Sequence, residues 1–530
     1  MAALKSFKVK DTDVSGNPHI LALDVGSTNV KCFLYNKEAE VVAVATEKME
    51  ILHPKPGYSE LDPDDLWTKV EKVMKGVIEK SGVSVDLIKC MGITTQRNTF
   101  INWDKETGEY FHKFITWQDL RARKLVKNWN TSYTMSAFSN STKVLHTFTR
   151  QTRFLAASVL RFMSGQVTMR LKWMIQNNEK LKKRIEEKQV QFGTIDTWLL
   201  WKLTNGRSVA TDYSLASTTG MFDPFQVEWS GIVAGLVGLP MHILPPIKDT
   251  SGLFGHTDVS LLGKEIPIMS VVADQQSALF GQCCFNVGDM NCSMGTGAFY
   301  DVMTGTKPHA SVAGLFPLVG WKIGSEIMYV AEGYASDIGP ILDWAQSMDF
   351  FKDVKDTAEI ASSVPDAGGV CFVPGFSGIQ APINDDKACT SLIGVTPKTT
   401  KPHIVRAVLE GIAFRVYLLH QTVLKEIRVP LSNVCRVDGG VTNNDFIMKM
   451  VTDLTGCDLE KPHQTDMTPL GAAYLAGLAA GIWKDKEELK SLRKCQTTKP
   501  TEKFEKYKPL VEEWQKAMKR CMNWYPTDNE

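Results

Sequence analysis

One local pattern occurs in each half of the chain and restricts its fold more than any other feature. The apolar run His19-Ile-Leu-Ala-Leu23 meets Asp24-Val-Gly-Ser-Thr28 and resumes as Val30-Lys-Cys-Phe-Leu-Tyr35, which reads as two strands joined by a tight glycine turn. Far downstream, Val434-Cys-Arg-Val437 runs into Asp438-Gly-Gly-Val-Thr-Asn443 and then into a helical pattern from Phe446 to Leu454. A strand closed by an acid-plus-glycine turn in both halves predicts a pseudo-symmetric pair of lobes. Length agrees, because 530 residues exceed the roughly 100 to 200 of a typical domain.

Between the two turns the elements alternate. Asp62 is placed to cap a helix, with Pro63 at its first position, apolar residues at helical spacing through Val77 and an end by Gly82. Ile88 to Thr94 and Ile266 to Val272 read as buried strands, so the fold class is α/β. The expected division is a disordered lead-in over 1–18, a first lobe over 19–284 and a second over 285–530. Residues Glu179 to Lys188 read as a solvated helix end. Thr131 to Arg161 mixes Ser, Thr, aromatic and basic residues without period and reads as an inserted loop or cap over the cleft. The Lys- and Glu-rich tail after Trp483 reads as a closing helix.

Hydrophobic residues make up 43% and charged residues 22%, the balance of a soluble globular protein. A net charge of +1 gives no global field that would draw in nucleic acid or an anionic membrane, so any anion must be held locally. The 11 cysteines include an adjacent pair, Cys283-Cys284, and no C-x-x-C, which points to neither a disulfide framework nor a zinc cage and suits a reducing cytoplasm. Met1 to Pro18 lacks the apolar run of a signal peptide. Gly471 to Trp483 is shorter than the roughly 20 residues of a membrane span, and its small residues suit a tightly packed helix.

Four turns carry candidate chemistry. Asp24-x-Gly-x-Thr28 sets a carboxylate, a glycine and hydroxyls where phosphate oxygens could meet them. Val272-Ala-Asp274-Gln-Gln276 puts a carboxylate and two amides directly after a strand; its plain alternative is a helix cap. Gly295-Thr-Gly-Ala298 could form an anion nest, and Asp438-Gly-Gly440 with Asn443-Asn444 opens a helix whose N-terminal dipole favours phosphate. Each alone is more often a turn or a cap. Together, in both halves and without a G-x-x-x-x-G-K-[ST] loop, they point to a bilobal ATPase with its nucleotide between the lobes.

The chain resembles the carbohydrate kinase family that includes glycerol kinase, xylulokinase and gluconokinase, and it is most like the glycerol kinases, within them a divergent animal branch. The carriers, spread over His19 to Trp524, are ALDVGST (22 to 28), PKPGYSELDPDDLW (54 to 67), GITTQRNTFINWDKETG (92 to 108), ITWQD (115 to 119), FGTIDTWLLWKLTNG (192 to 206), ADQQSALFGQ (273 to 282), GTGAF (295 to 299), VDGGVTNNDF (437 to 446) and LGAAYLAGLAAGIW (470 to 483). The resemblance implies two ribonuclease-H-like, actin-like ATPase lobes with an interlobe cleft. ATP and Mg²⁺ would lie in that cleft, and a polyol, glycerol first, would be bound mainly by the first lobe. It implies Asp274 as the base that activates the polyol hydroxyl, Asp24 at the metal, and Ser27, Thr28 and Lys31 by the phosphates. Thr296, Gly339, Gly440 and Asn444 would contact the nucleotide; Arg97, Asn98, Trp117, Asp274, Gln275 and Phe299 would surround the polyol.

Three positions depart from the glycerol kinase pattern. Gln96-Arg97-Asn98 replaces Gln-Arg-Glu, Gly165 or a neighbour replaces a tyrosine of the glycerol site, and Lys31 replaces an arginine, keeping the charge but losing the fork. These lie more on the polyol side than on the ATP side, so another polyol or sugar, or a catalytically weak nucleotide-binding regulator, stands beside glycerol phosphorylation as an alternative. An actin- or chaperone-like ATPase would need a polymerising surface or a peptide-binding domain. A homo-oligomer is compatible with all of these readings.

Overall fold

Both lobes are built on a sheet whose strands run apolar for most of their length, because helices cover both faces. The computed structural model describes residues 16–309, 311, 314–464 and 466–526. In the first lobe six strands lie in the order Ser251–His256, Pro267–Ala273, Ile88–Thr95, His19–Val25, Asn29–Tyr35, Val41–Lys48. His19–Val25 pairs antiparallel with Asn29–Tyr35 and parallel with Ile88–Thr95, placing Asp24 beside Thr94, and Thr94 beside Val272. Three strand ends therefore open at one edge, with Asp24 and Asp274 among them.

Alternate residues of these strands enter two cores. Leu21, Leu23 and Ile93 pack under the helix Pro63–Ser81. That helix starts as its sequence demands, with Asp62 accepting the amides of Asp64 and Asp65 at 3.0 and 3.3 Å, and Gly82 at φ 64° ends it. Ile20, Ala22 and Val272 face a helix from the far end of the chain, Met467–Ala479. Its small residues allow backbone to approach backbone: a Cβ on Gly471 would lie 1.8 Å from the carbonyl oxygen of Ser277. Ser277 Oγ donates to the Thr468 carbonyl at 2.5 Å and Ser270 Oγ to that of Ala472 at 2.8 Å. This helix thereby clamps the helix Asp274–Gly281.

The segment read as an irregular loop is helical. Arg123–Asn130, Tyr133–Thr149 and Thr152–Ser158 follow one another, and Ser132 caps the second by accepting the Met135 amide at 3.2 Å. No period announced them because Tyr133–Thr149 buries only Met135 and Thr142.

The second lobe carries seven strands in the order Phe316–Ile323, Glu326–Ala335, Ala298–Gly305, Met290–Met294, Val434–Asp438, Asp458–Pro462, Cys495–Thr498. Its inner five repeat the third-second-first-fourth-fifth order of the first lobe. The equivalence differs from the one expected. The counterpart of the Asp24 hairpin is Met290–Met294 with Ala298–Gly305, so its turn corresponds to Gly295–Gly297, and Val434–Asp438 corresponds to Ile88–Thr95. The two acidic turns look alike in sequence, but one returns into a strand and the other opens a helix, and only pairing separates them.

Among the described residues one helix, Lys401–Glu426, is long and apolar enough to cross a membrane, and 83% of its apolar window is buried in the second core. The last helix, Phe504–Cys521, packs on the same core, with Trp514 donating to the Phe372 carbonyl at 2.8 Å. All eleven cysteines are free thiols.

Candidate active site

Asp274 is the first residue of its helix, directly past the strand Pro267–Ala273. Its Oδ1 accepts the amide of Gln275 at 2.8 Å and lies 3.4 Å from Arg97 Nε. Burial pushes its carboxyl above the usual range, with the Arg97 guanidinium opposing. Arg97, carried past the end of Ile88–Thr95, also reaches the second lobe: its Nη1 donates to Glu332 Oε2 at 2.7 Å, and its guanidinium lies 5.4 Å from the Phe299 ring centroid. Burial disfavours its charge, but Glu332 and Asp274 outweigh that and hold it firmly protonated.

Within two residues of Arg97 or Asp274 in sequence, three amide oxygens are buried without a hydrogen-bond partner, Asn98 Oδ1, Gln275 Oε1 and Gln276 Oε1. A buried acceptor of this kind takes its hydrogen bond from ordered water or from a bound group. Asn98 sits at φ 61°, a left-handed conformation that asparagine adopts more readily than most residues. A Cβ on Gly165 would lie 3.9 Å from the Trp117 carbonyl oxygen, an ordinary contact, so this position stands against the Trp117 backbone.

Trp117 and Ser27 are already joined. The Trp117 indole donates to Ser27 Oγ at 3.0 Å, Ser27 donates to Gln96 Oε1 at 3.1 Å, and Gln96 Nε2 returns to the Gly26 carbonyl at 3.2 Å. This network fixes the glycine turn after Asp24 against Trp117 and Gln96, while Thr28 stays exposed. Lys31 is committed as well, its Nζ 2.6 Å from Asp466 Oδ1. Burial works against its charge, but Asp466 and Asp24 keep its pKa raised. Asp24 itself is pushed up to about 7 by burial, opposed by Lys31 and reinforced by Asp466 and Asp274.

On the second lobe the two glycine turns abut, since a Cβ on Gly439, at φ 89°, would lie 2.4 Å from the Met294 carbonyl oxygen. Thr296 is exposed, and its carbonyl accepts the amides of Ile338 and Gly339 at 3.0 and 3.3 Å. Gly440 faces open space. Asn444 is spent on structure: its Oδ1 caps the helix Asp445–Thr455 through the Ile447 amide at 3.1 Å, and its Nδ2 donates to Thr357 at 2.8 Å.

Sequence reasoning missed three groups. Arg170 is fully buried, and its guanidinium donates to the carbonyls of Asn98 and Gly165, each at 2.8 Å, and of Thr116, tying three loops of the pocket together. Burial lowers it to about 9. Its only signal was a lone arginine inside an apolar stretch. Asp301 and Glu332, neighbours across two strands of the second sheet, bring two buried carboxyls opposite Arg97. Burial and Glu332 push Asp301 well above the usual range.

Known proteins share this arrangement. Residues 19–281 match the N-terminal domain, and 290–480 the C-terminal domain, of the FGGY family of carbohydrate kinases. The chain is 49% identical over 507 residues to "Glycerol kinase 5" of Homo sapiens, covering 96% of each. It is 36% identical over 508 residues to "Glycerol kinase 2" of Thermotoga maritima, covering 96% of this chain and 99% of the other. Among solved structures, Plasmodium falciparum glycerol kinase with ADP superposes with a TM-score of 0.85 at 31% identity, covering 95% of this chain and 98% of that one. Gluconate kinase from Lactobacillus acidophilus, with a TM-score of 0.79 at 20% identity and coverage of 95% and 98%, shares the fold. Two actin-like lobes meeting at a cleft, matched one by each of the two domain models of a single family, make this chain a member of the FGGY family of carbohydrate kinases, a glycerol kinase-like phosphotransferase with an alcohol group as acceptor.

Proposed function

We propose that this chain moves the γ-phosphoryl group of ATP onto a hydroxyl of a small polyol, glycerol the first candidate, with Asp274 as the general base. The observation that supports this most is the setting of Asp274, a partly buried carboxylate steadied on one oxygen by Gln275 and Arg97, with the unpartnered amide oxygens of Asn98 and Gln275 next in sequence to Arg97 and Asp274. Burial makes Asp274 a stronger base than a free carboxylate, and Arg97 keeps it ionised for the task. The amide oxygens accept hydrogen bonds from polyol hydroxyls, and Trp117 and Phe299 border the carbon chain. Thr296, Gly339 and Gly440 hold the nucleotide, and Asn444 supports that turn by capping the helix behind it.

Asp24 fits a divalent cation. Without one, a carboxyl facing Asp274 and Asp466 rises to about 7, and a single carboxylate plus phosphate oxygens and water is the usual way Mg²⁺ is held. When bound, Mg²⁺ would neutralise charge on the phosphates. The free thiols support a reducing compartment, which we take as the cytoplasm.

A second reading rests on Gly165 and Asn98. A glycine without side-chain bulk beside Trp117, with the Asn98 amide in place of a carboxylate, suits a polyol or sugar other than glycerol. ADP release measured with glycerol and with a panel of polyols and sugars decides between them. Asp274→Asn should lower turnover by about 10² to 10⁴-fold and leave ATP affinity nearly unchanged. Near-normal turnover in that variant removes Asp274 from the role. Tight ATP binding without turnover on any acceptor would leave a nucleotide-binding regulator.

A further inference from the structure

Between Asp119 and Glu179 the chain contains no Asp or Glu, while ten Lys or Arg fall in the same stretch. In a molecule whose 60 basic and 59 acidic residues nearly cancel, this is a local concentration of positive charge that the net +1 conceals. The stretch builds the helices described above, and of these Tyr133–Thr149 lies outermost. Tyr133 is 95% exposed and Phe148 83%, with Val144 at 54% and Leu145 at 44% between them, and Val159 adds a further exposed apolar group. Positions 133, 137, 144 and 148 fall on one face of the helix. Lys143 and Arg150 are exposed on the same helix and at its end, and Lys124, Lys127 and Arg161 belong to the neighbouring segments; none of the five has an ion-pair partner among the described residues. The acids that do reach the region, Asp386 and Asp223, are paired with Arg123 and Arg153.

Isolated exposed apolar residues are ordinary. An aromatic at each end of one helix, about 22 Å apart along its axis, with unpaired cations around them, is not. We propose that this face docks the protein peripherally on an anionic lipid bilayer. The aromatic tips stand out from the helix instead of lining a recess, which suits insertion among lipid chains better than reception of a partner's anchor. The backbone behind them is satisfied within the helix, as interfacial burial requires. The unpaired cations complement the negative headgroups of a phosphatidylserine-containing leaflet.

The test sediments the full-length protein with vesicles of phosphatidylcholine alone or mixed with phosphatidylserine, at low and high salt. Binding to the mixed vesicles is expected to exceed binding to phosphatidylcholine by about tenfold and to fall as salt rises. The pair Tyr133→Ser with Phe148→Ser, and separately Lys143→Glu with Arg150→Glu, should each cut the bound fraction by about tenfold, with melting temperature and vesicle-free ATP turnover unchanged. Equal sedimentation with both vesicle types, or full binding by the Tyr133→Ser, Phe148→Ser protein, overturns the proposal. So does retention on an immobilised acidic peptide without vesicle binding, which would assign the face to a protein partner.

Discussion

Asp24, the carboxylate proposed above for a divalent cation, is perturbed by its place in the fold. Its carboxyl rises from an ordinary 3.8 to about 7, so between those values the folded state holds a proton that the unfolded chain has released. Stability from this group is therefore lost as pH climbs through that window. Asp212, buried where it caps the helix Tyr213–Thr218 and pushed up to about 7, and Asp438, at about 6, act in the same direction. The melting temperature of the protein alone should thus fall between about pH 4 and pH 7 and level off above. Asp24→Asn removes one share of that slope. It should be more stable than the parent by about 1 to 3 kcal/mol near pH 8, and equal to it near pH 4, while phosphoryl transfer drops by at least about 10²-fold. Thermal melts of both proteins across pH check this; a stability difference that does not change with pH would contradict the assignment.

The clamp of Met467–Ala479 on Asp274–Gly281 sets where that carboxylate stands. Because a Cβ at position 471 would sit 1.8 Å from backbone, even Gly471→Ala must push the two helices apart. We expect it to lower stability by about 1 to 3 kcal/mol and turnover by about tenfold or more, since a displaced base loses its alignment, with ATP affinity changed far less. Wild-type turnover in a folded Gly471→Ala protein would detach the clamp from catalysis. This element also marks what a sequence discloses. The Gly/Ala run announced tight packing, the Asp62-Pro63 start announced its helix, and apolar runs announced the strands at 19–35, 88–94 and 434–437, because each carries its signal within a few residues. Partners carried no such signal. The sequence around Lys31 does not disclose Asp466, 435 residues away, as its ion-pair partner, and Asp301 and Glu332 read as strand residues until pairing sets them opposite Arg97. The outward-facing helix at Tyr133 escaped for a different reason, since little of it is buried.

Between the lobes, contacts fall into two sets. Away from the cleft the lobes are joined by groups such as Tyr329, whose hydroxyl donates to the Pro224 carbonyl at 2.7 Å, and Val319, whose amide donates to Ser217 Oγ at 3.1 Å. In the cleft the tie is ionic: Arg97 of the first lobe against Glu332 of the second, with Asp301 fully buried beside it. Removing Glu332 alone should be tolerated. Burial, and after it Glu332, holds the Asp301 carboxyl well above the usual range, so Glu332→Gln removes one of those causes and favours the pairing of Asp301 with Arg97, limiting the loss to about 1 to 2 kcal/mol. Asp301→Asn alone should be as mild, because Glu332 remains. The double variant leaves the Arg97 cation buried with Asp274 as its one carboxylate, 3.4 Å away, and breaking a buried ion pair from the other side should cost about 3 to 5 kcal/mol. The two substitutions should therefore be non-additive by at least about 1 kcal/mol. In the double variant Arg97 also turns wholly to Asp274 and weakens it as a base, so turnover should fall by about tenfold beyond either single change. Urea melts and turnover on the four proteins of this cycle measure both effects. Additive losses would mean that the second-lobe carboxyls act independently and that Arg97 does not couple lobe docking to the base.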